Sequence, residues 1–201
     1  MTVPEAEVGT PVTASWKVTN KYAALDGRPA GGPLGSSKTT RPTIAEGATQ
    51  TTTVDVPEGA TSLDVTIGNV SDAAADLDLV VYNAAGTQVG SSADGDSEES
   101  VKVANPAAGT YRIEVVGYAV PGGSTAYDYL DVFYSAALGT VTVDESAPVK
   151  LGTGETAAVS GSVTALAAAP EGREFFGQVR LLNARGTVAG LGNVKIEKVT
   201  P

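Results

Sequence analysis

The sequence contains no histidine and no cysteine. A Ser-His-Asp triad, a Cys-His pair and any imidazole or thiolate metal site are therefore excluded, and so are disulfides. Without cysteine the redox compartment leaves no mark on the chain. Basic residues are scarce too: 13 Lys and Arg stand against 23 Asp and Glu, a formal charge of −10. With no cationic surplus to release counterions, a nucleic-acid backbone and an anionic bilayer are not expected partners. No apolar run approaches the roughly 18–20 residues that span a membrane. The first residues, Met1-Thr-Val-Pro-Glu5, lack the basic and apolar stretches of a signal peptide, so any export signal is expected outside this sequence. What is present is 201 residues at 42% hydrophobic, enough for one or two globular domains with a core.

The hydrophobic period is two. Val12, Ala14, Trp16 and Val18 alternate with Thr13, Ser15 and Lys17, the pattern of a strand with one face buried and one wet. The same alternation recurs in Leu63–Ile67, Leu77–Val81, Tyr111–Val115, Tyr127–Tyr134, Val141–Val143, Val159–Val163, Phe175–Leu181 and Val194–Ile196. Gly/Pro-rich turns separate these runs, which predicts an all-β chain of antiparallel sandwich or jelly-roll type. Tyr82-Asn-Ala-Ala-Gly-Thr87 and Leu182-Asn-Ala-Arg-Gly-Thr187 share Asn-Ala-x-Gly-Thr between apolar flanks. Each reads as a hairpin in which Gly86 or Gly186 supplies a positive φ, and the two suggest two β-sandwich domains.

Ala23–Arg41 is rich in Gly, Pro and Ser and reads as a connector, and a second boundary falls near Ser135–Gly139. The expected organisation is N-terminal strands and connector over 1–42, a middle domain over 43–135 and a second sandwich over 136–201. The last segment holds only about five strands, too few for an immunoglobulin-type sandwich. The N-terminal strands are therefore expected to complete it, with the middle domain inserted between them.

Two glycine motifs are decoys. Gly152-Thr-Gly154-Glu-Thr-Ala157 fits a loose dinucleotide pattern, but a strand follows where a helix N-terminus is needed. Gly31–Lys38 has the glycines of a phosphate loop without its Gly-Lys-Ser/Thr ending, and Pro33 removes an amide. Carboxylates are the remaining chemical resource. A glycosidase needs a groove between its paired acids, and three Phe and one Trp in the whole chain offer little to line it. Clustered hard oxygens suit Ca²⁺ better. Two groups qualify: Asp72, Asp76 and Asp78, and the acidic run Asp94, Asp96, Glu98 and Glu99. Against this stands a solvated acidic face that discourages edge-to-edge pairing. Tyr127, Tyr129 and Phe133 share one strand face, with Tyr134 on the other. Tyr127, Tyr129 and Tyr134, together with Tyr118, form the candidate substrate-gripping surface; core packing is the competing reading.

Val56–Gly68, Asp76-Leu-Asp-Leu-Val-Val-Tyr82, Gly90–Ser100, Asn105-Pro-Ala-Ala-Gly-Thr-Tyr111 and Val116–Pro121 together resemble a bacterial pre-peptidase C-terminal domain, over about residues 43–135. The flanks, through Glu171-Gly-Arg-Glu-Phe-Phe-Gly-Gln-Val179, resemble the fibronectin-type-III-like segments at the C-terminal end of large secreted subtilisin-like serine proteases. The resemblance implies a jelly-roll middle domain beside an immunoglobulin- or fibronectin-III-like sandwich. It also implies a non-catalytic, extracellular tail whose partner is the protease's own catalytic domain, with insoluble protein substrate or cell wall as further partners. The family's catalytic Asp, His and Ser match nothing here. In some collagenases the corresponding domain binds collagen and calcium, with acidic residues from an N-terminal linker. Ala23–Arg41 offers only Asp26 for that role. The alternative is a purely structural spacer without a ligand.

Overall fold

The computed structural model describes residues 1–201 as nineteen strands and no helix. In chain order these begin β1 (Thr2–Val3), β2 (Ala6–Glu7), β3 (Val12–Thr19), β4 (Leu25–Ala30), β5 (Gly32–Thr40), β6 (Thr43–Ala45) and β7 (Thr49–Val56). There follow β8 (Ala60–Gly68), β9 (Asp76–Tyr82), β10 (Gln88–Ser92), β11 (Ser100–Ala104), β12 (Gly109–Ala119) and β13 (Ser124–Ala126). The series ends with β14 (Asp128–Val143), β15 (Val149–Leu151), β16 (Thr156–Ala165), β17 (Glu174–Asn183), β18 (Val188–Ile196) and β19 (Val199–Thr200). The chain forms two compact units, Ser37–Ser135 and the combination of Met1–Ser36 with Ala136–Pro201.

In Ser37–Ser135 one sheet runs β10-β9-β12-β7, antiparallel throughout. A second is built on β8, flanked by β11 and by the Asp128–Ser135 part of β14. Sequence alternation becomes burial. Leu63, Val65 and Ile67 of β8, Leu77, Leu79 and Val81 of β9, and Tyr111, Ile113 and Val115 of β12 are at most 5% exposed. Asp64, Thr66, Asp78, Val80, Arg112 and Glu114 between them stay in reach of solvent. Each buried aliphatic contributes roughly 1.5–3 kcal/mol, which is what holds two sheets face to face.

In the other unit the strand path is β1-β18-β17-β5-β14-β16-β3. β16 pairs with β3 from Thr156↔Thr19 to Val163↔Val12, and β17 pairs with both β18 and β4. Strands from the two ends of the sequence thus share one ladder. Trp16, Leu34, Val141, Val163, Phe175 and Val194 form its core.

The Gly/Pro-rich stretch expected as a connector is strand over Leu25–Ala30 and Gly32–Thr40. Its glycines serve close approach, not flexibility. A Cβ on Gly31 would lie 2.0 Å from the Val141 carbonyl oxygen, and one on Gly27 would lie 2.8 Å from Leu181. Neither glycine motif opens a helix; Gly152–Ala157 turns directly into β16.

The two Asn-Ala-x-Gly-Thr hairpins fold alike, joining β9 to β10 and β17 to β18. The Asn83 amide donates to Thr87 O at 2.9 Å, and its Oδ1 accepts from Ala85 and Thr87 at 3.0 Å. The Asn183 amide donates to Thr187 O at 2.9 Å, and Oδ1 accepts from Arg185 at 2.9 Å and Thr187 at 3.1 Å. Gly86 and Gly186 take φ of 77° and 78°, the left-handed conformation glycine adopts without a Cβ clash.

Candidate functional site

The acidic residues converge at the start of β9. The loop after β10 is fastened there by Ser97 Oγ, which donates to Ala75 O at 2.6 Å, and by the Leu77 amide, which donates to Asp96 O at 3.2 Å. Within the loop the Asp96 amide donates to Asp94 Oδ1 and the Glu98 amide to Asp96 Oδ1. This folds the chain so that Asp94, Asp96 and Glu99 each place a carboxylate oxygen within 4.8 Å of the others. Glu99 is 1% exposed and accepts from the Asp94 amide at 3.0 Å and from the Ser92 hydroxyl. Burial, then Asp76, then Glu99 push the Asp78 carboxyl above its ordinary value. Asp76 Oδ1 is buried without a hydrogen-bond partner, an arrangement that costs free energy unless a donor or cation meets it. Oxygens around one Ca²⁺ at about 2.3–2.6 Å lie up to about 5 Å apart, so this donor set fits a hard cation.

Two of the expected ligands are engaged elsewhere. Glu98 points away from its neighbour Glu99, as successive residues in extended chain do, and accepts from the Asn69 amide at 3.3 Å. Asp72 closes a turn, with Oδ1 accepting from Ala74 at 3.1 Å and Oδ2 from Gly122 at 2.9 Å.

The tyrosine surface does not form. Tyr127 and Tyr129 are each 2% exposed, Tyr134 is half-buried on the opposite strand face, and Tyr118 on β12 is 69% exposed. The buried face of β14 packs into the core, and each phenol is satisfied there. Tyr127 donates to Gln50 Oε1 at 2.8 Å and Tyr129 to Asp131 Oδ2 at 3.0 Å. Burial pushes the Tyr127 phenol up to about 12. A pKa raised on folding gives stability that is full below the ordinary value of 10.0 and lost as pH rises towards about 12. Ultraviolet titration of the folded chain should therefore show tyrosine absorbance still rising near pH 12, and Tyr127→Phe should reduce that rise by one tyrosine.

Two polar clusters were not anticipated from sequence. Asp131 is fully buried within the inner face of β14. Arg41 binds Asp128 and donates to Asn69 O at 3.1 Å, while Asn69 Nδ2 donates to Asp128 Oδ2 at 2.7 Å. Those hydrogen bonds, first from Asn69 and then from Arg41, hold the Asp128 carboxyl below its usual range. Asn69 itself takes φ of 50°, a conformation asparagine tolerates in turns; that tolerance is the only local signal the sequence carried for this cluster.

Residues 48–117, from the end of the turn before β7 through most of β12, match the family model of the bacterial pre-peptidase C-terminal domain. Pyrolysin from Pyrococcus furiosus is 29% identical over 164 residues, an alignment covering 79% of this chain and 12% of pyrolysin. An alignment that long exceeds Ser37–Ser135 and takes in residues of both units. Among solved structures, the periplasmic inhibitor of g-type lysozyme from Aeromonas hydrophila aligns at 16% identity and TM-score 0.36, over 65% of this chain and 97% of that one. Tripeptidyl peptidase 2 aligns at 10% identity and TM-score 0.43, over 98% of this chain and 19% of that one. Likenesses this distant carry no argument about function.

Proposed function

We propose that the chain is a non-catalytic C-terminal accessory region of a secreted, subtilisin-like serine protease. It helps the enzyme hold protein substrate or a surface, or supports its export and stability. The observation that carries this reading is the coincidence of the family match at 48–117 with similarity to pyrolysin that runs through both units. The absence of His and Cys agrees with a supporting role, since neither a Ser-His nor a Cys-His pair can be assembled. A structural spacer is the second reading, favoured by the burial of Tyr127 and Tyr129, which removes the expected aromatic surface. The test compares the protease carrying this region with the protease trimmed of it. Slower hydrolysis of insoluble protein, with unchanged hydrolysis of a soluble peptide, supports the accessory reading. Identical behaviour on both, with identical secretion and melting, contradicts it and leaves the spacer.

Calcium belongs to the same reading, held by Asp94, Asp96 and Glu99 with Asp76 and Asp78 beside them. Calorimetric titration should give a Kd of about 0.1–1 mM, the range of extracellular calcium modules. At about a hundredfold excess over Kd the ion should stabilise the chain by about 2.7 kcal/mol. Asp96→Asn, at an exposed position, and Glu99→Gln should each weaken binding. An unchanged melting curve in Ca²⁺ and in EDTA removes calcium from the account.

A further inference from the structure

We propose that the groove between β3 and β18 binds an acidic, extended peptide segment of a partner protein, paired as an added strand along the free edge of β3. The inference is independent of the calcium site and of the protease assignment.

The groove has a volume of about 510 Å³ and lies within the unit formed by the two ends of the sequence. β3 stands at the end of the strand path, bonded on one side to β16. The Asn20 amide donates to Glu155 O at 3.0 Å, which sets the parity of the ladder. Val18 and Trp16 then direct their backbone groups towards β16, and Ser15, Lys17 and Thr19 direct theirs outward. Three consecutive outward-facing N–H and C=O sets form a ready template for another strand.

The groove's floor and walls suit a side chain reaching down from such a strand. Trp16 lies against Gly192, where an added Cβ would come within 2.6 Å of the indole. Its Nε1 donates to Asn193 O at 3.4 Å, closing the base of the groove. Tyr22 and Leu191, 82% and 61% exposed, stand at the rim as apolar surface in contact with water.

Charge selects the occupant. The lining contains Lys17, Lys21 and Arg180 and no Asp or Glu, in a chain whose net charge is −10. Arg180 donates to the Gly31 carbonyl at 3.1 Å, so Lys17 and Lys21 are the cations left to meet a ligand. A cationic groove on an acidic molecule attracts carboxylates and repels basic segments. It also disfavours a second copy of this chain, because pairing two β3 edges would bring each Lys17 towards another cationic edge.

The test uses the full chain, whose single tryptophan sits in the groove. The probe is a capped peptide of about eight residues alternating threonine and valine with glutamate, long enough for one strand. Its controls are the same peptide with lysine for glutamate, and the glutamate peptide N-methylated at alternate residues. Saturable change in Trp16 emission is expected with the glutamate peptide. Binding should be about tenfold weaker or worse with either control and with the Lys17→Glu/Lys21→Glu variant. Lys17→Gln/Lys21→Gln gives the same comparison should charge reversal disturb folding, which the melting curve reports. No saturable change up to millimolar peptide overturns the proposal, as does equal affinity for the lysine or N-methylated peptide. Concentration-dependent dimerisation that competes with the peptide would assign the edge to a second copy instead.

Discussion

Residues 136–201 without Met1–Ser36 will not fold. In the intact chain β16 is paired along eight residues with β3, and β17 with β4, so the shorter piece loses a neighbour from each of its two long strands. It also loses Trp16 and Leu34, at 5% and 0% exposure. Burying two such side chains is worth roughly 1.5–3 kcal/mol each, a large part of a domain's net stability of about 5–15 kcal/mol. Far-ultraviolet circular dichroism and amide proton dispersion should show a disordered chain, and adding the 1–36 peptide should recover β signal. A cooperative thermal transition for 136–201 alone would contradict the shared ladder.

Gly31→Ala should be among the most damaging single methyl additions in the same unit, with Gly139 and Gly161, whose added Cβ would also meet backbone oxygen at 2.1 and 2.2 Å. The Cβ on Gly31 would meet the Val141 carbonyl oxygen at 2.0 Å, and backbone cannot swing aside as a flexible side chain can. The expected loss is roughly 2–4 kcal/mol, in the overpacking range with backbone displacement added. Gly154→Ala is the control. Gly154 has φ of 82° and nothing within 4 Å of an added Cβ, so only the left-handed conformation opposes the change, by about 1 kcal/mol. Urea unfolding followed by Trp16 emission compares the two directly. Equal losses would mean that the contact with Val141 does not constrain Gly31.

The strands were legible in the sequence because half-buried sheet imposes a period of two that composition alone cannot produce by turns. The two hairpins were legible for a local reason: Asn83 and Asn183 accept from the amides that their loops leave unpaired, and Gly86 and Gly186 carry the positive φ. Ala23–Arg41 misled because glycine has two uses, freedom in a loop and close approach in a sheet. Only the positions of Val141 and Leu181, more than a hundred residues away, tell them apart. Tyr127 and Tyr129 were placed on one strand face, but alternation does not say which face is wet. Asp131 adds polarity to that face and is buried with it. At the acidic site the difference between Glu98 and Glu99 is one residue of strand parity. That Asp76 and Asp78 lie beside the acidic loop depends on its docking through Ser97 and Asp96, which no local pattern announces.

The most direct measurement is co-sedimentation of the purified chain with collagen, keratin, elastin and bacterial cell wall, each in calcium and in EDTA. An accessory region that holds a protease on its substrate or at a surface should bind at least one of them saturably, and weaken in EDTA where the acidic loop takes part. Failure to sediment with any of the four, in either condition, would contradict the binding role and leave export and stability as what the chain provides.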